Sequence, residues 1–221
     1  MLTRIDNLLS ASELDAISTA TDDAEWESVT ATASGQAAEA KNNLQLSPAA
    51  DANRQIGKIV VEALHRNRQF VMTTLPRRVR PPLISAYHAD MAYGEHVDAA
   101  IMYAPAAMRT DVALTVFLSD PASYDGGELV IKMVGGETAV KLPAGSMVCY
   151  PPQFLHRVTP VTRGVRLAAV TWVESLVRTA EQRAVLIHLS EAIDGLRRSG
   201  ATEAAALNNS YNILMRMWSE P

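Results

Sequence analysis

The sequence predicts an α+β protein, a jelly-roll β core with helices before it and a helical segment after it. Three patterns predict this class. Six short β-prone runs lie between residues 83 and 173, separated by turns rich in Gly, Pro and Asp, as in a β-sandwich or barrel. Upstream, Ile56, Ile59, Val60, Ala63 and Leu64 follow the i, i+3, i+4, i+7, i+8 rule of an amphipathic helix. Downstream, Leu186, Leu189 and Ile193 return to helical spacing. The expected division is 1–174 for the core with its N-terminal helices and 175–221 for a helical extension.

The first helix is announced by Ser10-Ala11-Ser12-Glu13, a capping box flanked by Leu9 and Leu14 at the positions of a hydrophobic staple. Leu14 and Ile17 supply its apolar face. Residues 34–44 are polar and weakly patterned, which predicts a loop, with room for a short helical piece. Ser47-Pro48 reads as a cap followed by proline at the first helical position, so the second helix is expected to start there. Its apolar stripe must lie against something, and the outside of a sheet is the natural partner.

Strands are expected at Leu83 to His88, Val112 to Leu118, Glu128 to Val134, Glu137 to Leu142, Ser146 to Tyr150 and Val165 to Val173. Asp125-Gly126-Gly127, Gly135-Gly136, Pro143-Ala144-Gly145 and Arg163-Gly164 punctuate them. The Gly135-Gly136 pair predicts a tight hairpin. A helix is expected from Leu176 to Leu196, ending between Gly195 and Gly200. A last one runs from about Thr202 through Leu207, Tyr211, Leu214 and Trp218.

Composition narrows the function classes. The chain has 221 residues, 48% of them hydrophobic, and a mean hydropathy of +0.01, enough to bury a sizeable core. A net charge of −4 and a pI near 5.7 give no electrostatic case for nucleic acid. The one basic cluster, Arg77, Arg78 and Arg80, is expected to be a solvated loop or a local anion site. A single cysteine, Cys149, excludes an intramolecular disulfide and sits in an apolar run, as a buried structural thiol would. No apolar stretch approaches a membrane span, and Met1 to Asp6 lacks the layout of a signal peptide. A cytoplasmic protein without membrane attachment is expected. The apolar tail suits either an intramolecular brace or a homo-oligomer interface.

The chemistry is concentrated in His96, Asp98, His156 and Arg166. Residues two apart on a strand share a face, so His96 and Asp98 can reach one metal from one strand edge. Two imidazoles and a carboxylate leave half an octahedron open, the facial triad of non-haem Fe(II) oxygenases. Arg166 shares its strand face with Ala168, Val170 and Trp172. If that face looks into the barrel, a buried guanidinium needs an anion, and a keto-acid carboxylate suits its fork. Pairing with a protein carboxylate is the alternative. His88-Ala89-Asp90 has the same spacing as His96-Val97-Asp98, and spacing alone does not separate them. His65 and His188 lack partners and are expected on the surface. The residues alone also leave open a zinc hydrolase, which gives Arg166 no role, and a β-barrel that binds metal or keto-acid without turnover.

Longer stretches resemble a known family. Tyr93-Gly94-Glu95-His96-Val97-Asp98, Phe117-Leu118-Ser119-Asp120-Pro121 and Tyr124-Asp125-Gly126-Gly127-Glu128-Leu129-Val130-Ile131 are similar to the PKHD-type hydroxylases, relatives of prolyl 4-hydroxylases. So are Val140 to Gly145, Leu155 to Gly164, Gly35-Gln36-Ala37-Ala38 and Lys41-Asn42-Asn43. The resemblance implies a double-stranded β-helix and a 2-oxoglutarate-dependent dioxygenase that hydroxylates a small-molecule or peptidyl C–H bond with O2. It implies Fe(II) on His96, Asp98 and His156, 2-oxoglutarate on Arg166 with Tyr87 as a second donor, and L-ascorbate as an accessory ligand. It also selects His96-Val97-Asp98 over its near twin. Trp172 is expected to wall the cavity, and Lys41, Asn42 and Asn43 to meet substrate. The family pattern has Asn-Arg-Tyr where this chain has Ser85-Ala86-Tyr87, and Asn where it has Ala99. These departures bear on the substrate pocket and not on the ligands.

Overall fold

A computed structural model describes residues 2–22, 24–28 and 41–220. Strand β1 (Thr3–Ile5) leads to helix α1 (Ala11–Asp22). The capping box forms as expected: Ser10 N donates to Glu13 Oε2 at 2.8 Å and Glu13 N to Ser10 Oγ at 3.3 Å. Strands β2 (Trp26–Ser28), β3 (Lys41–Asn42) and β4 (Leu44–Leu46) follow. Within the described part of the expected loop, Lys41 and Asn42 are therefore edge strand and Leu44 opens an inner strand. Lys41 and Asn42 pair with Tyr93 and Ala92, and Leu44 and Gln45 with Ala86 and Ser85. Partners that distant leave no local signature. The Gly35 to Ala38 motif lies outside the described residues.

Helix α2 (Asp51–Arg66) begins at Asp51 rather than Pro48. Ser47 and Pro48 instead open a turn, in which Ala50 N donates to Ser47 O at 2.9 Å. The apolar stripe is as expected: Ile56, Val60, Ala63 and Leu64 are fully buried. Helix α3 (Arg68–Thr74) is capped by Asn67, whose Oδ1 accepts from Phe70 N at 2.9 Å.

The β core then runs through β5 (Pro76–Val79), β6 (Leu83–Tyr87), β7 (Ala92–His96), β8 (Ile101–Met102), β9 (Met108–Arg109) and β10 (Val112–Phe117). It continues with β11 (Asp125–Gly126), β12 (Leu129–Met133), β13 (Gly136–Val140), β14 (Met147–Tyr150), β15 (His156–Val158), β16 (Val161–Arg163) and β17 (Arg166–Ser175). The major sheet has the order β1-β14-β10-β17-β6-β4-β2, and the minor sheet β13-β12-β15-β7-β3. Strands β6, β10, β14 and β17 of the major sheet interleave along the chain with β7, β12, β13 and β15 of the minor sheet. This alternation is a double-stranded β-helix. The predicted hairpin is present: Met133 pairs with Gly136, leaving Val134 and Gly135 as a two-residue loop.

The major sheet is buried on both faces, which is why its strands read as continuous apolar runs. Val112, Leu114 and Val116 of β10, Met147 and Cys149 of β14, and Ala169 and Val173 of β17 pack under α1, α2 and α3. The alternate residues Ala113, Phe117, Val148, Tyr150 and Trp172 face the minor sheet. Each large apolar side chain so buried contributes roughly 1.5–3 kcal/mol. Cys149 belongs to the first layer, and burial pushes its thiol up to about 12, which keeps it protonated and unreactive.

Two members of the arginine cluster, Arg77 and Arg78, lie on a strand and not in a loop, and Arg80 follows it. On β5, Arg78 donates to the buried Glu174 at 2.5 Å, with Arg77 at 3.7 Å. After β17, Leu176 and Val177 do not start the next helix. Leu176 N donates to Leu75 O at 2.8 Å and Val177 bridges Ser219. Helix α4 (Ala180–Ser199) starts behind the Thr179 cap and ends at the left-handed Gly200, and α5 (Glu203–Trp218) follows. Arg183 of α4 staples the tail to the core, donating to Val177 O, Arg178 O and Asp111 O at 2.8, 2.8 and 3.2 Å. Among the described residues no helix is long and apolar enough to cross a membrane.

Candidate active site

His96 ends β7 and His156 begins β15, and the two are paired in register. Their ring centroids are 4.2 Å apart. Each Nδ1 hydrogen-bonds the carbonyl two residues earlier, His96 to Gly94 O at 2.8 Å and His156 to Phe154 O at 2.9 Å. A carbonyl only accepts, so each Nδ1 carries the proton and each Nε2 keeps a lone pair. Burial, with His156 beside it, lowers His96 to about 4, so the ring is neutral at pH 7.

Asp98 lies just beyond β7, not on the strand as the spacing suggested. Its N–H donates to Pro152 O at 3.1 Å, latching this loop to the turn that presents His156. The carboxylate Oδ1 stands 3.8 Å from His156 Nε2, and one ligand atom from each of the three residues lies within 4.8 Å of the others. Asp98 Oδ2 is buried without a hydrogen-bond partner. Burial pushes the Asp98 carboxyl up, against the pull of His156. Two imidazole lone pairs and an orphaned buried carboxylate fit a divalent metal with open positions.

Arg166 opens β17 and is the largest fully buried side chain, with 1% exposure. No carboxylate pairs with it among the described residues, and its Nε lacks a partner. Its guanidinium lies 5.0 Å from the Tyr87 ring centroid and 5.5 Å from that of Phe117. The Asp125-Gly126-Gly127 turn makes room for it. A Cβ on Gly127, at φ +68°, would come within 2.9 Å of Arg166 Cδ and 3.1 Å of the Tyr124 ring. A buried, unpaired fork of this kind fits a carboxylate ligand.

Triad and arginine share a cavity of about 550 Å³. The even-numbered face of β17 does look inward: Arg166, Val170 and Trp172 line the cavity, with Tyr87 and Lys41. Asn42 and Asn43 lie outside its lining. Asn42 is exposed and donates to Asp90 O at 3.3 Å; Asn43 is buried and donates to Leu44 O at 3.2 Å. His88 and Asp90 are exposed on the turn after β6, and His65 and His188 are exposed as well. Sequence reasoning passed over Tyr93, stacked on His96 at 3.7 Å, and Tyr150, edge-on to His156 at 5.1 Å; it named Arg80 in the basic cluster without placing it at the rim of this cavity. Tyr150 had a signal in the parity of β14. Tyr93 had one only in its position three residues before His96.

Residues 82–174 match the 2OG-Fe(II) oxygenase superfamily. Over its whole length the chain is 44% identical to a PKHD-type hydroxylase of Paraburkholderia xenovorans (strain LB400) and 45% identical to one of Burkholderia ambifaria (strain MC40-6), with 100% of each relative covered. The chain belongs to the PKHD-type hydroxylases. It is a 2-oxoglutarate-dependent hydroxylase, an oxidoreductase. A Pseudomonas putida prolyl-4-hydroxylase shares the fold at TM-score 0.56 and 19% identity, covering 79% of this chain and 92% of that one. The carbocyclase SnoK from nogalamycin biosynthesis does so at TM-score 0.57 and 15% identity, covering 78% and 80%.

Two of the three departures of this PKHD-type hydroxylase from the family pattern line the cavity. Ser85 is buried and accepts from Gln45 Nε2 at 3.0 Å, and Ala99 faces the mouth; Ala86 is not in the lining. Both lie in the cavity wall and leave the four central residues untouched.

Proposed function

We propose that His96, Asp98 and His156 hold Fe(II) and that Arg166, assisted by Tyr87, holds the far carboxylate of 2-oxoglutarate. The observation that carries this reading is a fully buried arginine with no carboxylate partner among the described residues, in the same cavity as the triad. Bound together, metal and cosubstrate supply oxidation of a substrate C–H bond by O2, coupled to conversion of 2-oxoglutarate to succinate and CO2.

The protein's own part is orientation and exclusion of water. Backbone carbonyls of Gly94 and Phe154 fix both histidine tautomers, and Tyr93 and Tyr150 fix the ring planes. Tyr87 and Phe117 flank the Arg166 guanidinium, and shielding it from water strengthens its grip on an anion. Trp172 walls the cavity, and Lys41 meets substrate at its open side.

Arg166→Ala tests the assignment by calorimetry. Affinity for 2-oxoglutarate is expected to fall by about 100-fold, the scale of a lost charge-assisted pair, with Fe(II) affinity retained. Equal loss of both would make Arg166 structural.

The same reading includes L-ascorbate as an accessory ligand, carried by the family resemblance, and a cytoplasmic setting, supported by the single free Cys149. Residues 175–221 act as an extension braced on the catalytic unit. Their exposed Ile213 (56%) and Met217 (69%) on α5 support a homo-oligomer, which sedimentation of a double Ser substitution would test.

A further inference from the structure

We infer that the mouth of the catalytic cavity recognises a carboxylate on the substrate through Arg80. The inference rests on the assignment of the triad and Arg166 above. Three arginines stand close together on and after β5, and they divide. Arg77 and Arg78 share Glu174. Arg80 lines the cavity instead.

Its backbone is pinned to β17 on both sides. Arg80 N donates to Trp172 O at 3.0 Å, and its carbonyl accepts from Thr171 Oγ1 at 2.6 Å. The side chain is half-buried, and its Nη1 donates to Ala104 O across the mouth. Among the described residues that is its one hydrogen bond, and no carboxylate pairs with it. A guanidinium has five donors. Most of this fork is left for a ligand.

Charge balance points the same way. Among the described residues that line the cavity, Asp98 is the one carboxylate, and the reading above gives it to the metal. Fe(II), Asp98, Arg166 and doubly charged 2-oxoglutarate cancel. Arg80 is then a positive charge facing the space left for substrate. A neutral substrate that displaced water here would leave this cation desolvated, which is costly. Leu83, Val97, Ala99 and Met102 line the same space. The substrate class is therefore an apolar body with an acidic end, either a free organic acid or an acidic side chain in a peptide.

Protein loaded anaerobically with Fe(II) and 2-oxoglutarate, so that Arg166 is occupied, is titrated with two probe pairs. One pair is hexanoate and hexanamide; the other is an acetylated tripeptide with a central glutamate and its glutamine counterpart. Calorimetry and the visible absorption band of the loaded protein report binding. At least one acidic probe is expected to bind about ten-fold more tightly than its neutral partner. Arg80→Gln should reduce that preference to less than about three-fold, and Arg80→Lys, which keeps the charge, should retain part of it. Preference in the small pair alone identifies a free acid, and in the peptide pair an acidic segment. Equal affinities within both pairs, no binding by either acid, or a preference unchanged by Arg80→Gln overturns the inference. A missing band before any probe is added sinks the Fe(II) and 2-oxoglutarate reading and this inference with it. A normal band without acid preference sinks the inference alone.

Discussion

His156 faces His96 directly across the ladder between β15 and β7, so one strand pairing sets the distance between two candidate metal ligands. Asp98 completes the triangle from a loop that is itself bonded to Pro152, four residues before His156. The triad is thus held by backbone on both sides, and its side chains have little left to adjust.

A site built this way stores instability where the metal belongs. Asp98→Asn removes a buried carboxyl whose Oδ2 has no partner. Metal-free protein should gain about 1 kcal/mol in denaturant unfolding. Fe(II) affinity should fall in the same variant, by more than about 100-fold. Loss of stability together with metal binding would show that Asp98 supports the fold.

Gly127→Ala tests how closely the Asp125-Gly126-Gly127 turn is fitted to Arg166. At φ +68°, with a Cβ meeting Arg166 Cδ at 2.9 Å, the substitution must displace the guanidinium. Affinity for 2-oxoglutarate should fall about ten-fold, with Fe(II) binding retained. Gly135→Ala is the control. It also has positive φ but meets nothing within 4 Å, so it should cost stability alone.

Acid stability carries a separate signature. The Arg66 guanidinium, 2.6 Å from Glu13, lowers that carboxyl from 4.5 to about 2. A depressed folded value means that the stabilisation is complete above pH 4.5 and is lost as pH falls towards 2. With Arg66 49% exposed, solvent screening limits it to about 1 kcal/mol. The gap between wild type and Glu13→Gln in thermal unfolding should close across that window. A gap independent of pH would place the effect of Glu13 in capping alone.

Much of this was legible because it rests on local chemistry. The stripe from Ile56 to Leu64 and the capping box at Ser10 need only their own neighbours. The inward face of β17 followed from strand parity, and it placed Arg166 with Trp172. What was hidden depends on partners far along the chain. Lys41 and Asn42 form a strand only because Tyr93 and Ala92 offer an edge, and this pairing puts Lys41 on the cavity with Asn42 outside it. Ser47-Pro48 reads as a helix start but serves a turn, since nothing local distinguishes the two. Arg80 read as one of three equivalent cations until Glu174, nearly a hundred residues on, claimed the other two.

Anaerobic titration of the Fe(II)-loaded protein with 2-oxoglutarate, followed in the visible range, tests the central assignment most directly. The predicted result is an absorption band that grows with 2-oxoglutarate, saturates, and is lost in His156→Ala. Folded, Fe(II)-loaded protein that shows no such band would contradict the placement of metal and cosubstrate in this cavity.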